Sequence, residues 1–262
     1  MDLNMTGKSV VITGGGTGIG RAAAFAFLRE GAKVAICGRR KEKLEEAAAL
    51  FKNEGYDVLH DSADVRDYDA FAAFARKVVE AHGKIDVFIN NAGANQIKPL
   101  MQYDTEEFKS ILDINLVTVF NGCKIAATHM RESGGGVILN ASSFSALAPN
   151  AGRAPYSAAK AAISSLSCTF AAELAKDNIR VIAYVPGMIE TEISAKNIAQ
   201  NREALLKDIP VKRFGQPNDL AKVLVFLASD AANYINGTEI VIAGGKRCVQ
   251  NPWFAYDWKP QN

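Results

Sequence analysis

VVITGGGTGIGRAAAFAFLREGAKVAICGRR, residues 10–40, decides the fold. It runs from an apolar stretch ending at Thr13, through a cluster of glycines, into an alanine-rich segment, a second apolar stretch from Lys33 to Cys37, and two arginines. Short branched apolar runs are strand signals, and the segment between them is long enough for a helix. Two strands joined through a helix run parallel, because the crossover returns the chain to the end of the sheet where it started.

The same alternation continues outward from this unit. Apolar runs at Ser9 to Thr13, Lys33 to Cys37, Val58 to His60, Ile85 to Asn90, Val137 to Ala141, Arg180 to Tyr184 and Glu239 to Ile242 predict seven strands. The stretches between them place apolar residues three and four apart, as at Leu44, Ala47, Ala48 and Phe51, or Phe71, Phe74, Ala75, Val78 and Val79, which is the spacing of amphipathic helices. Near-continuously apolar strands suit a sheet covered on both faces. The expected fold is α/β: a doubly wound, parallel, seven-stranded sheet with helices on both faces, in a single domain over residues 1–245. Residues 246–262, KRCVQNPWFAYDWKPQN, form an aromatic tail unlike the rest.

Composition excludes several function classes. The 262 residues are 48% hydrophobic, and 30 basic against 28 acidic residues leave a net charge of only +2. That balance supplies neither a basic face for nucleic acid nor a polybasic arm for a membrane. Cys37, Cys123, Cys168 and Cys248 form no C-x-x-C, His60, His82 and His129 have no metal-ligand spacing, and MDLNMTGK has no leader-like pattern. No apolar run approaches the roughly 18–20 residues of a membrane span. The expectation is a soluble, cytoplasmic protein without metal, nucleic-acid partner or membrane partner.

In a doubly wound sheet ligands sit beyond the carboxyl ends of the strands where the strand order reverses, and the first strand-to-helix turn faces that crevice. Gly14, Gly18 and Gly20 allow a sharp turn and a close approach to a pyrophosphate, which the N-terminus of the following helix favours. An acidic residue after the second strand would serve the ribose hydroxyls of NAD; Gly38, Arg39 and Arg40 stand there instead. A guanidinium pairs with a 2′-phosphate, so Arg39 points to NADP(H). Arg40 and Lys41 read as the solvated start of the next helix.

YSAAK puts Tyr156 and Lys160 four residues apart, on one helix face. A phenol beside an ammonium is a candidate acid/base pair, because a nearby positive charge favours the phenolate. The same stretch also spells Ser157-x-x-Lys160, a nucleophile motif of some hydrolases, but the downstream KTG and SDN partners are absent. A non-catalytic nucleotide sensor on the same fold is a further alternative.

Taken together, these motifs resemble the short-chain dehydrogenase/reductase family from about residue 5 to residue 245. Thr13-Gly14 through Gly18-Ile19-Gly20 matches its cofactor glycine motif, Asp64-Val65 its adenine-contacting pair, and Asn90-Asn91-Ala92-Gly93 its fourth-strand motif. Asn115, Ser143, Tyr156 and Lys160 match its catalytic tetrad, with Ser143 preferred over Ser142 and Ser145 by its distance from the tyrosine. In VPGMIET, Pro186, Gly187, Ile189 and Thr191 would lie along the nicotinamide. The resemblance implies hydride transfer between NADP(H) and a carbonyl or secondary alcohol. Tyr156 would move the proton, Ser143 would bond the oxygen, Lys160 would hold the ribose and tune the phenol, and Asn115 would hold a water.

The same resemblance implies a homotetramer or homodimer, and substrates of the 3-oxoacyl, hydroxysteroid or polyol type. Gln96, Phe144, Leu147, Arg153, Met188, Ile193 and Ile198 are the candidate walls, suiting a medium-sized, largely apolar substrate. The crowding of Trp253, Phe254, Tyr256 and Trp258 leads to the expectation that the tail is ordered near a subunit boundary.

Overall fold

The computed structural model describes residues 3–246, 252, 253 and 256. In chain order its main elements are β1 (Ser9–Thr13), α1 (Gly18–Arg29), β2 (Lys33–Gly38), α2 (Lys41–Asn53), β3 (Leu59–Ser62), α3 (Tyr68–His82) and β4 (Val87–Asn90). There follow α4 (Thr105–Leu112), α5 (Thr118–Glu132), β5 (Gly136–Ala141), the short α6 (Phe144–Leu147), α7 (Ala154–Leu174), β6 (Ile179–Pro186), α8 (Glu192–Lys207), α9 (Pro217–Ala228) and β7 (Glu239–Ile242). All seven expected strands form, with ends displaced by one or two residues.

The sheet order is β3-β2-β1-β4-β5-β6-β7. Every pairing is parallel, with Ser9 opposite Lys33 on one side of β1 and Val10 opposite Val87 on the other. Side chains alternate along each strand, so β1 feeds two cores. Val10 and Ile12 join Ile36, Phe27, Leu44 and Leu224 on one face, while Val11 joins Ala35, Phe88, Phe71, Met130 and Ile163 on the other. Burial on both faces explains the unbroken apolar runs.

One helical stretch differs from its sequence reading. The residues from Thr105 to Glu132 run as one continuous helix, long and apolar enough by composition for a membrane span, although 56% of its most apolar window is buried inside the fold. That is the position of a core helix. Its middle, Asp113–Val117, winds as a π-helix between α4 and α5. The apolar spacing gave no sign of this change of pitch.

The chain leaves β1 for β2 and β3 on one side, then returns to place β4 on the other. This reversal opens a crevice at the carboxyl ends of β1 and β4.

Candidate active site

A cavity of about 540 Å³ fills that crevice, reaching from the end of β2 to the residues that follow β7. Its phosphate end is the turn after β1. Gly14 and Gly18 have φ of +67° and +53°, left-handed values that a side chain would strain. A Cβ on Gly20 would lie 2.3 Å from the Gly14 carbonyl oxygen, so the first turn of α1 packs tightly on the loop before it. Thr17 precedes α1 without capping it; its hydroxyl accepts a hydrogen bond from Arg40 at 3.2 Å instead. The first N–H groups of α1 therefore have no side-chain cap, and an uncapped helix start favours an anion.

Around this turn the expected residues divide. Gly14, Gly18, Ile19, Gly38 and Arg39 line the cavity, whereas Thr13, Gly20 and Asp64 do not. The Thr13 hydroxyl accepts from the backbone N–H groups of Asn91 and Ala92, both at 2.9 Å, and so ties the end of β1 to the turn after β4. Asn91 returns the tie through its amide to the Thr13 carbonyl at 3.0 Å. Asp64 turns to Arg66 at 2.5 Å, whose guanidinium holds the carboxyl below its usual range. Val65 and Ala63 reach the cavity in its place.

The side chain of Arg39 is exposed and makes no hydrogen bond or ion pair among the described residues. Arg40 differs from its reading as a solvated helix start. It pairs with Glu192 at 3.1 Å and with Thr17, joining the start of α2, the glycine turn and the start of α8. Glu192 lies 152 residues away in the chain, so local sequence could not reveal this pair.

At the opposite end, Tyr156 and Lys160 lie one turn apart on α7, with the Lys160 Nζ 5.6 Å from the tyrosine ring centroid. Ser143 stands at the start of α6, where its Oγ accepts from the Ser145 N–H at 3.1 Å. Lys160 is buried and donates to the Ala141 carbonyl at 2.7 Å. Burial lowers its pKa to about 7. Burial also pushes the Tyr156 phenol up, against a hydrogen bond with Ser143 and the charge of Arg153, both of which lower it. The sequence reading gave the lowering to Lys160; in the folded chain desolvation outweighs it, and Ser143 and Arg153 supply the opposing pull.

Asn115 sits inside the π-helical turn. Its amide donates to the Ala94 carbonyl at 2.8 Å and the Ile111 carbonyl at 2.9 Å, which turns its Oδ1 towards Gly93. That buried Oδ1 has no protein partner, nor has the Oδ1 of Asn95, and both residues line the cavity. Two orphan acceptors, one of them, Asn115 Oδ1, beside the Lys160 ammonium, are the kind of wall that water or a ligand's hydroxyls satisfy. Ser157, by contrast, is buried outside the lining, with its Oγ unpartnered, so the Ser-x-x-Lys reading finds no accessible nucleophile.

Residues 8–202 match the family described as short chain dehydrogenase. The chain belongs to this family. It is 36% identical over 255 residues to a 3α-hydroxysteroid dehydrogenase of Mediterraneibacter gnavus, covering 94% of this chain and all of the relative. It is 37% identical over 243 residues to a 3-oxoacyl-[acyl-carrier-protein] reductase of Thermotoga maritima, covering 93% and 99%. Among solved structures, a 7α-hydroxysteroid dehydrogenase complexed with NADH and 7-oxo glycochenodeoxycholic acid superposes with a TM-score of 0.89 at 30% identity, covering 94% and 96%. The protein is thus an oxidoreductase of the short-chain dehydrogenase family, whose members use a nicotinamide cofactor.

In this dehydrogenase Asn91, Ala92, Gly93, Pro186, Gly187, Ile189 and Thr191 also line the cavity. Of the candidate substrate walls, Phe144, Arg153, Met188 and Ile193 reach it; Gln96, Leu147 and Ile198 do not. The amide of Gln96 donates to Glu107 at 3.2 Å, and Ile198 is buried with Ile209 and Phe214. Sequence reasoning missed Tyr184 and Lys246, which also line the cavity. Tyr184 looked like any strand residue, yet its hydroxyl donates to Asn91 Oδ1 at 3.1 Å.

Proposed function

We propose that this dehydrogenase uses NADP(H) to interconvert a carbonyl and a secondary alcohol on a medium-sized, largely apolar substrate. The observation that carries the reading is the meeting of Ser143, Tyr156 and Lys160 at one end of a cavity whose other end is the glycine turn. The cofactor would supply the hydride. The uncapped start of α1 and the turn through Gly14 and Gly18 bind the pyrophosphate, and Val65 meets the adenine. Asn91, Ala92, Gly93, Pro186, Gly187, Ile189 and Thr191 hold the nicotinamide side.

Lys160 binds the ribose hydroxyls. In reduction Tyr156 gives its phenolic proton to the substrate oxygen, Ser143 donates a hydrogen bond to that oxygen, and Asn115 holds the water through which the proton is replaced. In oxidation the phenolate takes the alcohol proton. The burial that keeps Tyr156 protonated suits the donor role. The relatives' names, a hydroxysteroid dehydrogenase and a 3-oxoacyl reductase, support an apolar carbonyl or alcohol as substrate. Polyols remain a third class for the same assay.

The preference for NADP(H) rests on Arg39, a free guanidinium where a ribose-binding carboxylate would otherwise stand; the solved hydroxysteroid relative carries NADH. We further read residues 1–245 as the cofactor-binding catalytic domain of a cytoplasmic homodimer or homotetramer. The exposed apolar side chains of Phe108, Val117 and Phe120 along α4 and α5 support self-association.

The test is a rate comparison with NADPH and NADH across 3-oxoacyl thioesters, oxosteroids and oxidised polyols. Tyr156→Phe should lower turnover at least about a thousandfold while leaving NADPH affinity within about twofold. Turnover within tenfold of the parent would overturn the tyrosine's role. A Cβ at Gly38 would have no neighbour nearer than 3.9 Å, so Gly38→Asp with Arg39→Leu should fold and shift preference from NADPH to NADH by about a hundredfold. A parent that already prefers NADH would refute the assignment of Arg39.

A further inference from the structure

Two cations at the substrate end have no anionic partner among the described residues. Arg153 directly precedes α7, and Lys246 follows β7; both are half-buried and line the cavity. Among the described residues neither charged group meets a carboxylate or a hydrogen-bond acceptor; the Lys246 Nζ lies 5.0 Å from the centroid of the Phe144 ring. Among the described residues the one carboxylate in the cavity lining, Glu192, is already paired with Arg40 at the cofactor end.

Two half-buried cations with no anionic partner among the described residues are better compensated when an anion from outside joins them. The pyrophosphate and ribose phosphate of a cofactor bind at the other end, so they do not reach this pair. The backbone beneath Arg153 is pinned, because the Gly152 carbonyl accepts from the Lys98 N–H at 2.9 Å and from the Tyr103 hydroxyl at 3.4 Å. Arg153 directly precedes α7 and Tyr156 stands in its first turn, both lining the cavity, which puts the guanidinium within the span of one substrate molecule from the reacting carbonyl.

We propose that Arg153 and Lys246 form a carboxylate-binding subsite, so that the substrate is a ketone or secondary alcohol carrying a carboxylate beyond its apolar body. The Arg153 guanidinium offers the planar fork that pairs with both oxygens, and Lys246, over the Phe144 ring, adds a second charge. This inference rests on the reading of the cavity as a carbonyl site and names the kind of molecule it accepts.

The test separates the two claims. Binding of 4-cyclohexylbutanoate and of its uncharged amide is measured by calorimetry on the full chain, with the cofactor site saturated by NADPH. The acid should bind at least about tenfold more tightly than the amide. Arg153→Gln and Lys246→Gln should each reduce that preference about threefold or more, with Tm and NADPH affinity unchanged as proof of an intact fold, and Arg153→Lys should retain most of it. Equal binding of acid and amide to the parent, or an equal loss of both in the variants, overturns the subsite.

Reduction of the 4-oxo derivative of the acid and of its methyl ester is then followed with NADPH. Turnover without preference for the acid overturns the subsite and leaves the reductase reading standing. Preferential binding of the acid without turnover of either ketone supports the subsite and counts against the reductase reading.

Discussion

In the proposed mechanism Tyr156 gives up a proton from a place where burial makes its phenol hard to ionise. The reductive direction needs the protonated form, so turnover should fall on the alkaline side as pH rises through the phenol's pKa. Ser143 and Arg153 both lower that pKa, and removing either raises it. With an uncharged ketone, Ser143→Ala and Arg153→Gln should therefore each move the alkaline limb of the kcat profile to higher pH. Ser143→Ala should also lose about a hundredfold in rate, because it removes the hydrogen bond proposed to the reacting oxygen. A limb that stays in place, or moves down, would contradict the tuning described for these two residues.

The segment of most consequence at the level of elements is the start of α8, which Arg40 links to the glycine turn across the cofactor end of the cavity. Arg40 and Glu192 are each 54% exposed, so their ion pair contributes little to global stability, about 0–1 kcal/mol. Its effect should appear in cofactor release. Glu192→Gln should leave Tm nearly unchanged and speed NADPH dissociation about two- to fivefold at low salt, with the difference vanishing at high salt as screening removes the pair's contribution in the parent. Stopped-flow fluorescence checks both. A salt-independent change would mean that the side chain acts through packing instead.

Across the whole molecule, the tail and the substrate wall are mechanically connected. The Tyr256 hydroxyl donates to the Pro210 carbonyl at 2.9 Å, while Lys212 and Lys207 lie over the rings of Tyr256 and Trp253 at 4.8 and 5.1 Å. The described tail residues thus meet their own chain; Phe254, Trp258 and Cys248 lie outside the described residues. Just inside, Ile198, Ile209 and Phe214 form a small cluster against which Met188 and Leu205 pack, and those two line the cavity. Deleting residues 249–262 should raise the substrate KM about three- to tenfold with NADPH affinity unchanged. Light scattering on the same truncation tests the expected subunit-boundary role. A truncated protein with unchanged KM and unchanged mass would remove both roles.

The sequence by itself determined the sheet, because strand alternation and burial on two faces are local patterns that seven apolar runs write into the chain. It also singled out Tyr156 and Lys160, four residues apart on one helix, and the glycine turn, where backbone geometry leaves few residue choices. Only the tertiary structure decided how distant segments meet. Glu192 reaches Arg40, Thr13 ties β1 to the turn after β4 instead of facing the cavity, and Asp64 spends its carboxylate on Arg66. The π-helical turn that aims Asn115 was hidden because a change of helical pitch leaves apolar spacing almost intact. The balance at Tyr156 was hidden too, since desolvation depends on everything packed around a group, and a sequence lists neighbours along the chain but not around the atom.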